Sequence, residues 1–116
     1  MKIRIKDNSI RFRLTQSEVS ELGKNGIVSS FTEFVDRPFI YAIEKTKDTV
    51  LSAVFIENKM VMKMPEAMVD ELVSTDIVGF DGQVGVVKLL VEKDFVCIDN
   101  TIEDQSDNYP NPNLKC

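Results

Sequence analysis

The sequence resembles itself at an offset of fifty residues. Without a gap, residues 10–30 align with residues 60–80, and upstream of them Asn8 aligns with Asn58. The identical positions in this alignment are Val19 with Val69, Glu21 with Glu71, Leu22 with Leu72, Ile27 with Ile77 and Val28 with Val78. Two copies of one fold unit would constrain the chain strongly, because each copy repeats the same elements in the same order. Two strand-to-helix junctions that solve the same packing problem would produce part of this similarity without a duplication.

The first half predicts a hairpin, a short helix and a pair of strands. From Lys2 to Leu14, apolar and charged residues alternate with the period of two that puts each set on one face of a strand. Asp7, Asn8 and Ser9 supply the turn, because Asx residues tolerate a positive φ. Residues 15–18 fit a capping box, which begins a helix that Gly23 or Gly26 can end. Residues 27–35 and 39–45 then predict two strands.

The second half repeats this order. Residues 50–57 and 60–64 predict a hairpin around Asn58, and Pro65 stands where proline is best tolerated, in the first turn of a helix. Strands are predicted at 77–80 and 85–93 around Asp81 and Gly82, with a short extended stretch at 95–98. We therefore predict an α+β fold in which two ββαββ repeats form a curved antiparallel sheet or a barrel-like domain, with two short helices and an irregular C-terminal tail.

The length of 116 residues corresponds to one domain. We predict a globular domain over residues 1–98, with repeat halves at about 1–48 and 51–98, and an acidic tail rich in Asn and Pro over residues 99–116. The two cysteines do not form a disulfide framework, and the sequence contains neither a signal peptide nor a long apolar run. A cytoplasmic protein with reduced thiols and no membrane association is expected.

Charge is distributed unevenly along the chain. The net charge of −5 argues against a general nucleic-acid binder. Residues 1–13 nevertheless carry a balance of +4, and residues 92–108 carry a balance of −5. The basic residues at the start all fall on one face of the predicted hairpin: Lys2, Arg4, Lys6, Arg11 and Arg13.

This basic face is the best candidate for a binding site, and we interpret it as an anion-binding surface. Like charges on paired strands lie close to one another, so they require counter-charges. Three sources remain open: solvent ions, the acidic tail of the same chain through Glu103, Asp104 and Asp107, or a phosphorylated or carboxylated ligand. Barrels that bind triphosphate in their interior also use such basic strands, but they add glutamates that the first strand here lacks.

The tail offers a weaker candidate for a metal site. The oxygen-bearing side chains of Asp99, Glu103, Asp104 and Asp107 suit Ca²⁺ or Mg²⁺, although their spacing matches no EF-hand loop and a solvated acidic turn explains them as well. Cys97 and Cys116 form an incomplete ligand set for a soft metal, because no histidine is available to join them.

Catalytic signatures are missing from the sequence. Without histidine, Ser-His-Asp and Cys-His mechanisms are excluded, and the scattered glycines match no phosphate-binding loop. We therefore predict a non-enzymatic cytoplasmic binding domain without a cofactor, whose partner is an unknown protein or a small anionic ligand. The alternative is an enzyme that acts on a phosphorylated small molecule, with Arg4, Arg11 and Arg13 holding the phosphates and an acidic residue from 103 to 107 holding a metal.

Three segments together resemble a small bacterial family that is catalogued as a domain of unknown function. These segments are residues 1–6, residues 9–19 and the closing region, in which residues 91–97 are followed by Glu103, Asp104, Asp107, Tyr109 and residues 110–112. The resemblance spans the whole chain and implies a self-contained bacterial domain with no assigned activity. Because it includes the acidic tail, it also implies that the tail docks on the domain.

Overall fold

A computed structural model describes residues 1–96 and 104–110 of the chain. Eight strands and two helices lie within these residues: β1 (Lys2–Lys6), β2 (Ser9–Leu14), α1 (Gln16–Asn25), β3 (Ile27–Glu33), β4 (Pro38–Thr46), β5 (Ser52–Ile56), β6 (Lys59–Pro65), α2 (Glu66–Ser74), β7 (Gly79–Val84) and β8 (Val87–Lys93). The predicted α+β class and the twofold ββαββ order are confirmed.

The strands form two four-stranded sheets. Sheet 1 has the order β1-β2-β8-β7 and sheet 2 the order β3-β4-β6-β5. Pairs within each hairpin are antiparallel, but the central pairs, β2 with β8 and β4 with β6, are parallel. Each sheet therefore combines the first hairpin of one ββαββ unit with the second strand pair of the other. The sequence did not predict this exchange, because pairing between hairpins depends on tertiary packing rather than on local turns.

The two units share equivalent backbone hydrogen bonds as well as the same order of strands and helix. The turn residues Asp7 and Glu57, fifty positions apart, both adopt a positive φ, of 50° and 55°. The carbonyl of the next residue accepts a bond from the neighbouring parallel strand in both sheets: Lys88 donates to Asn8 and Ile40 donates to Asn58. The pattern predicted from the fifty-residue offset is therefore repeated at the level of individual backbone bonds.

One predicted turn is wrong. The β7–β8 turn lies at Gly85 and Val86, and not at Asp81 and Gly82, which are inside β7. Gly85 has a φ of +59° in open surroundings, which is the conformation that a two-residue hairpin turn requires. Gly82 has a packing role instead, because a Cβ there would lie 2.9 Å from Cβ of Leu51.

The apolar faces of both sheets and both helices share one core. Phe12 of sheet 1 contacts Tyr41 of sheet 2, with ring centroids 6.1 Å apart. Aligned positions of the two units contribute in pairs, since Leu14 and Met64, Val19 and Val69, and Leu22 and Leu72 are all buried. The helices also contact each other, and at Gly23 an added Cβ would lie 2.9 Å from Val73. The outer faces of the two sheets lie outside this core.

Residues 104–110 of the tail dock at the beginning of α1. The main-chain carbonyl of Asp107 accepts a hydrogen bond from the Gln16 amide at 3.0 Å, and its carboxylate accepts one from the Ser17 amide at 3.3 Å. Asp107 thus satisfies two of the amides that a helix leaves unpaired at its N-terminus. Tyr109 extends the contact by donating its amide to Asp94 and accepting from Val96.

Candidate anion-binding site

The five basic residues predicted to share a face do so. Lys2 lies directly opposite Arg13, and Arg4 directly opposite Arg11, in the antiparallel register of β1 and β2. The face continues onto β8, where Arg11 is level with Leu90 and Arg13 with Glu92. Alternation along each strand sends these side chains outward and the interleaved Ile3, Ile10 and Phe12 toward the core. The hairpin therefore presents a cationic surface on the outer side of sheet 1.

Part of this surface is concave. A depression of about 220 Å³ is lined by Arg4, Lys6, Ser9, Arg11 and Leu90. Three cationic side chains reach its wall, Ser9 adds a hydroxyl that can donate or accept a hydrogen bond, and Leu90 provides an apolar contact. We call this depression the basic cavity. Its chemistry suits an anion that is attached to a partly apolar molecule.

Acidic residues compensate the basic face only in part. Lys2 Nζ lies 3.1 Å from Asp94 Oδ2, and the carboxylate of Glu92 lies between Arg11 and Arg13, at 3.8 and 4.0 Å from their Nε atoms. These last distances exceed hydrogen-bonding range. Within the described residues, the buried Nε of Arg11 and Oε1 of Glu92 have no hydrogen-bond partner. Sequence reasoning missed Glu92 and Asp94 because only the parallel pairing of β2 with β8 brings β8 next to the basic hairpin.

The electrostatics of Arg11 reflect this crowding. Burial lowers the pKa of Arg11 from its ordinary value, and the neighbouring charge of Arg13 and then of Arg4 lowers it further, whereas Glu92 acts in the opposite direction. A guanidinium in such a position is stabilised by any anion that enters the basic cavity.

Of the acidic tail residues considered as counter-charges, Asp104 and Asp107 lie within the described residues. Asp107 interacts with α1, where hydrogen bonds from the hydroxyls of Ser17 and Thr15 hold its pKa below the ordinary value. Asp104 accepts a hydrogen bond from the Ser106 amide at 3.0 Å, and this bond lowers its pKa. Asp99 and Glu103 lie outside the described residues, as do Cys97 and Cys116. The proposed metal site remains a prediction, and no cluster of three metal-ligating side chains is present in the described part of the chain.

The equivalent face of sheet 2 has a different character. At the positions of Arg4, Lys6 and Arg11, the second unit carries Val54, Ile56 and Val61, in the same hairpin register. The parallel neighbour of Arg11, Leu90, is matched by Ala42 beside Val61. The scaffold is thus repeated while the outward side chains differ, so the cationic side chains of the basic cavity come from the first unit alone.

The fold and this site define a small α+β domain with one cationic and one apolar outer surface. The chain belongs to a family of unknown function, DUF7009, whose model matches residues 1–113. No curated protein and no solved structure matches the chain. Neither helix of the described residues is long and apolar enough to cross a membrane.

Proposed function

We propose that this protein is a non-enzymatic cytoplasmic binding domain whose β1–β2 hairpin binds an anionic group on a small molecule or on a protein partner. The basic cavity is the observation that carries this proposal. Its wall brings Arg4, Lys6 and Arg11 together around one depression. A protein gains nothing in stability from such an arrangement without an anion, since directly opposed like charges on paired strands are destabilising.

The compensation by neighbouring acids supports the same conclusion. Glu92 is oriented toward Arg11 and Arg13, and Asp94 toward Lys2, so these carboxylates lie on the side of the face away from Lys6. Within the described residues, the lining of the basic cavity contains no acidic side chain. An anion bound there would therefore meet Arg4 and Lys6 directly, whereas Arg11 also lies near Glu92.

Binding is favoured over the enzymatic alternative by the positions of the tail acids. An enzyme of the kind considered above requires a tail carboxylate that holds a metal beside the phosphate. Asp107 instead accepts hydrogen bonds at the start of α1, and Asp104 accepts one within its own turn. The described tail residues are thus engaged in structural contacts, which leaves the cationic clamp as the supported element.

Calorimetry and thermal unfolding with inorganic phosphate and triphosphate test this function. At constant ionic strength, we expect each anion to raise the melting temperature relative to chloride, since a ligand at a hundredfold excess over its Kd adds about 2.7 kcal/mol of stability. The Arg4→Gln and Arg11→Gln variants should lose this response. Lys24→Gln, which removes an exposed cation from α1, is the matched control and should keep it. An equal response in all four proteins, or none in the wild type, would contradict the proposal.

We further propose that the two ββαββ units arose by duplication. The equivalent bonds from the neighbouring parallel strands to the carbonyls of Asn8 and Asn58 support this, because hairpin formation does not itself require them. Alignment of other family members against themselves should then return the same fifty-residue offset. An offset that is confined to this sequence would indicate convergence of two junctions.

A further inference from the structure

The outer face of sheet 1 changes its chemical character along one row of residues. Arg4 on β1 lies opposite Arg11 on β2, and Arg11 is level with Leu90 on β8. Asp81 on β7 ends the row beside Leu90. Because neighbouring strands are about 4.8 Å apart, Leu90 lies about 5 Å from Arg11 and about 10 Å from Arg4 across the sheet. The basic cavity therefore has a cationic side on β1 and β2 and an apolar side on β8.

The cations of the cavity are compensated unequally. Within the residues that the structure describes, neither Arg4 nor Lys6 forms a salt bridge. Arg11 is compensated in part, because the carboxylate of Glu92 lies 3.8 Å from its Nε and is shared with Arg13. Two whole positive charges and part of a third thus need an external partner. A doubly charged anion matches this balance, whereas a singly charged one leaves a cation unpaired.

The hydrogen-bond donors of the cavity also exceed what a carboxylate can use. Two guanidinium groups, one ammonium and the hydroxyl of Ser9 reach its wall. A carboxylate has two oxygens, and a single arginine can occupy both of them. A phosphate monoester presents three acceptor oxygens and a charge of about −1.5 to −2 at neutral pH. It can therefore accept bonds from Arg4, Lys6 and Arg11 together.

We propose that the basic cavity binds the phosphate monoester of a small molecule whose esterified group is apolar and lies over Leu90. This inference rests on the proposed function and names the class of ligand. Arg4, Lys6 and Arg11 contact the terminal oxygens, and the ester oxygen faces β8. Asp81, beyond Leu90 in the row, disfavours a second negative charge on the esterified group.

The size of the cavity limits the esterified group. Its volume of about 220 Å³ is below the roughly 300–1,000 Å³ of pockets that enclose drug-sized ligands. Along the outward side of β8, the charged residues Lys88 and Glu92 stand on either side of Leu90. The apolar contact is thus restricted to one side chain. A compact group such as a single ring fits this restriction better than the flanking residues of a phosphorylated peptide.

Calorimetric titration at pH 8 and constant ionic strength tests the charge and the apolar group separately. Phenyl phosphate carries both features, glycerol phosphate replaces the ring by a polar group, and the diester methyl phenyl phosphate keeps the ring with one charge. We expect phenyl phosphate to bind about five- to tenfold more tightly than glycerol phosphate, for burial of about 50 Å² of apolar surface. The diester should bind about tenfold more weakly than phenyl phosphate, because it lacks one charge and one terminal oxygen.

The pH dependence of binding gives a second readout of the charge. The second pKa of a phosphate monoester is about 6, so the affinity for phenyl phosphate should fall several-fold between pH 8 and pH 5. Sulfate keeps both of its charges over this range and controls for titration of the protein itself. An equal fall for sulfate and phenyl phosphate would contradict selection of the doubly charged monoester.

Leu90→Ala isolates the apolar contact. Alanine is compatible with this position, because Ala42 holds the equivalent place on β4 by strand register. In this variant, phenyl phosphate and glycerol phosphate should bind with similar affinities. Val54→Ala, on the outer face of sheet 2, is the matched control and should keep the wild-type ratio of the two affinities. A ratio that Leu90→Ala leaves unchanged, in a variant that circular dichroism shows to be folded, would overturn the placement over Leu90.

The outcomes separate this inference from the proposed function. If neither inorganic phosphate nor any of the phosphate compounds binds the wild type, the proposed function itself fails. If inorganic phosphate binds but phenyl phosphate binds no more tightly than glycerol phosphate, or no more tightly than the diester, the proposed function stands and the ligand class is wrong. Tighter binding of a phosphotyrosine peptide than of phenyl phosphate would assign the cavity to a protein partner and would also overturn the inference.

Discussion

Replacing Lys93 by methionine should destabilise the protein through the end of α2 and the docked tail together. Lys93 is 6% exposed, and its ammonium donates a hydrogen bond to the carbonyl of Thr75, the C-cap residue of α2, at 2.8 Å. The same ammonium lies 5.0 Å from the ring centroid of Tyr109 in the tail. One buried cation therefore joins a helix terminus to the segment that caps the other helix.

The magnitude can be estimated from these two contacts. A hydrogen bond from a charged donor contributes about 1.5–3 kcal/mol, and a cation–π contact contributes about 0.5–1 kcal/mol. Methionine recovers part of this by removing the cost of burying a charge. We therefore expect a loss of about 2 kcal/mol in the free energy of unfolding, which corresponds to about 8 °C in melting temperature for a chain of this size.

The chain contains a matched control. Lys45 holds the equivalent place on β4, level with Met64 as Lys93 is level with Leu14, and it donates to the carbonyl of Gly23 near the end of α1. It is half-buried, so Lys45→Met should cost about 1 kcal/mol. Urea denaturation of both variants gives the comparison.

A double-mutant cycle separates the tail from the helix. Combining Lys93→Met with Tyr109→Leu should reveal a coupling of about 0.5–1 kcal/mol, and combining Lys45→Met with Tyr109→Leu should reveal none. Equal coupling energies in the two cycles, or a Lys93→Met variant as stable as the wild type, would refute the reasoning that Lys93 holds the tail.

Two further predictions concern the tail and the β7–β8 hairpin. The lowered pKa of Asp107 means that its contribution to stability is complete above the ordinary carboxyl pKa and is lost as the pH falls through the lowered value. In the Asp107→Asn variant, the urea midpoint should therefore decrease less at acid pH than it does in the wild type. Equal decreases in the two proteins would contradict this. Gly79→Ala should lower the free energy of unfolding by about 3 kcal/mol or more, because the added Cβ would lie 2.2 Å from the carbonyl oxygen of Val91. Gly85→Ala meets no neighbour and should lower it by about 1 kcal/mol, because residue 85 has a positive φ. Equal losses of stability for the two variants in urea denaturation would show that the contact with the Val91 carbonyl does not determine the cost at residue 79.

Features determined by neighbours along the chain could be predicted from the sequence. Alternation from Lys2 to Leu14 defined the β1–β2 hairpin and its cationic face, because a period of two has one structural meaning. The capping-box motif correctly marked the start of α1, where the Thr15 amide donates to Glu18 at 2.9 Å. The tail's acidic composition did not indicate its position, and only contact with α1 explains how Asp107 is held.

Features determined by distant neighbours could not be predicted. The parallel pairing of β2 with β8 supplies Leu90 to the basic cavity and brings Glu92 between Arg11 and Arg13, although about eighty residues separate Leu90 and Glu92 from Arg11. Nothing in a strand such as Val87–Lys93 specifies which hairpin it will join. The turn at Gly85 was missed for a related reason, since Asp81 and Gly82 carry equally strong turn chemistry and only packing against Leu51 keeps Gly82 inside a strand.

The exchange of strand pairs between the two units explains how one repeated scaffold presents two different surfaces. Each outer face contains the first hairpin of one unit and the second strand pair of the other, so substitutions in β1 and β2 change sheet 1 without altering sheet 2. On β2 and β6, Phe12 and Leu14 and their equivalents Met62 and Met64 are fully buried in the shared core, which requires them to remain apolar. Outward residues are free to differ, and they diverge toward cations on one sheet and toward aliphatic side chains on the other.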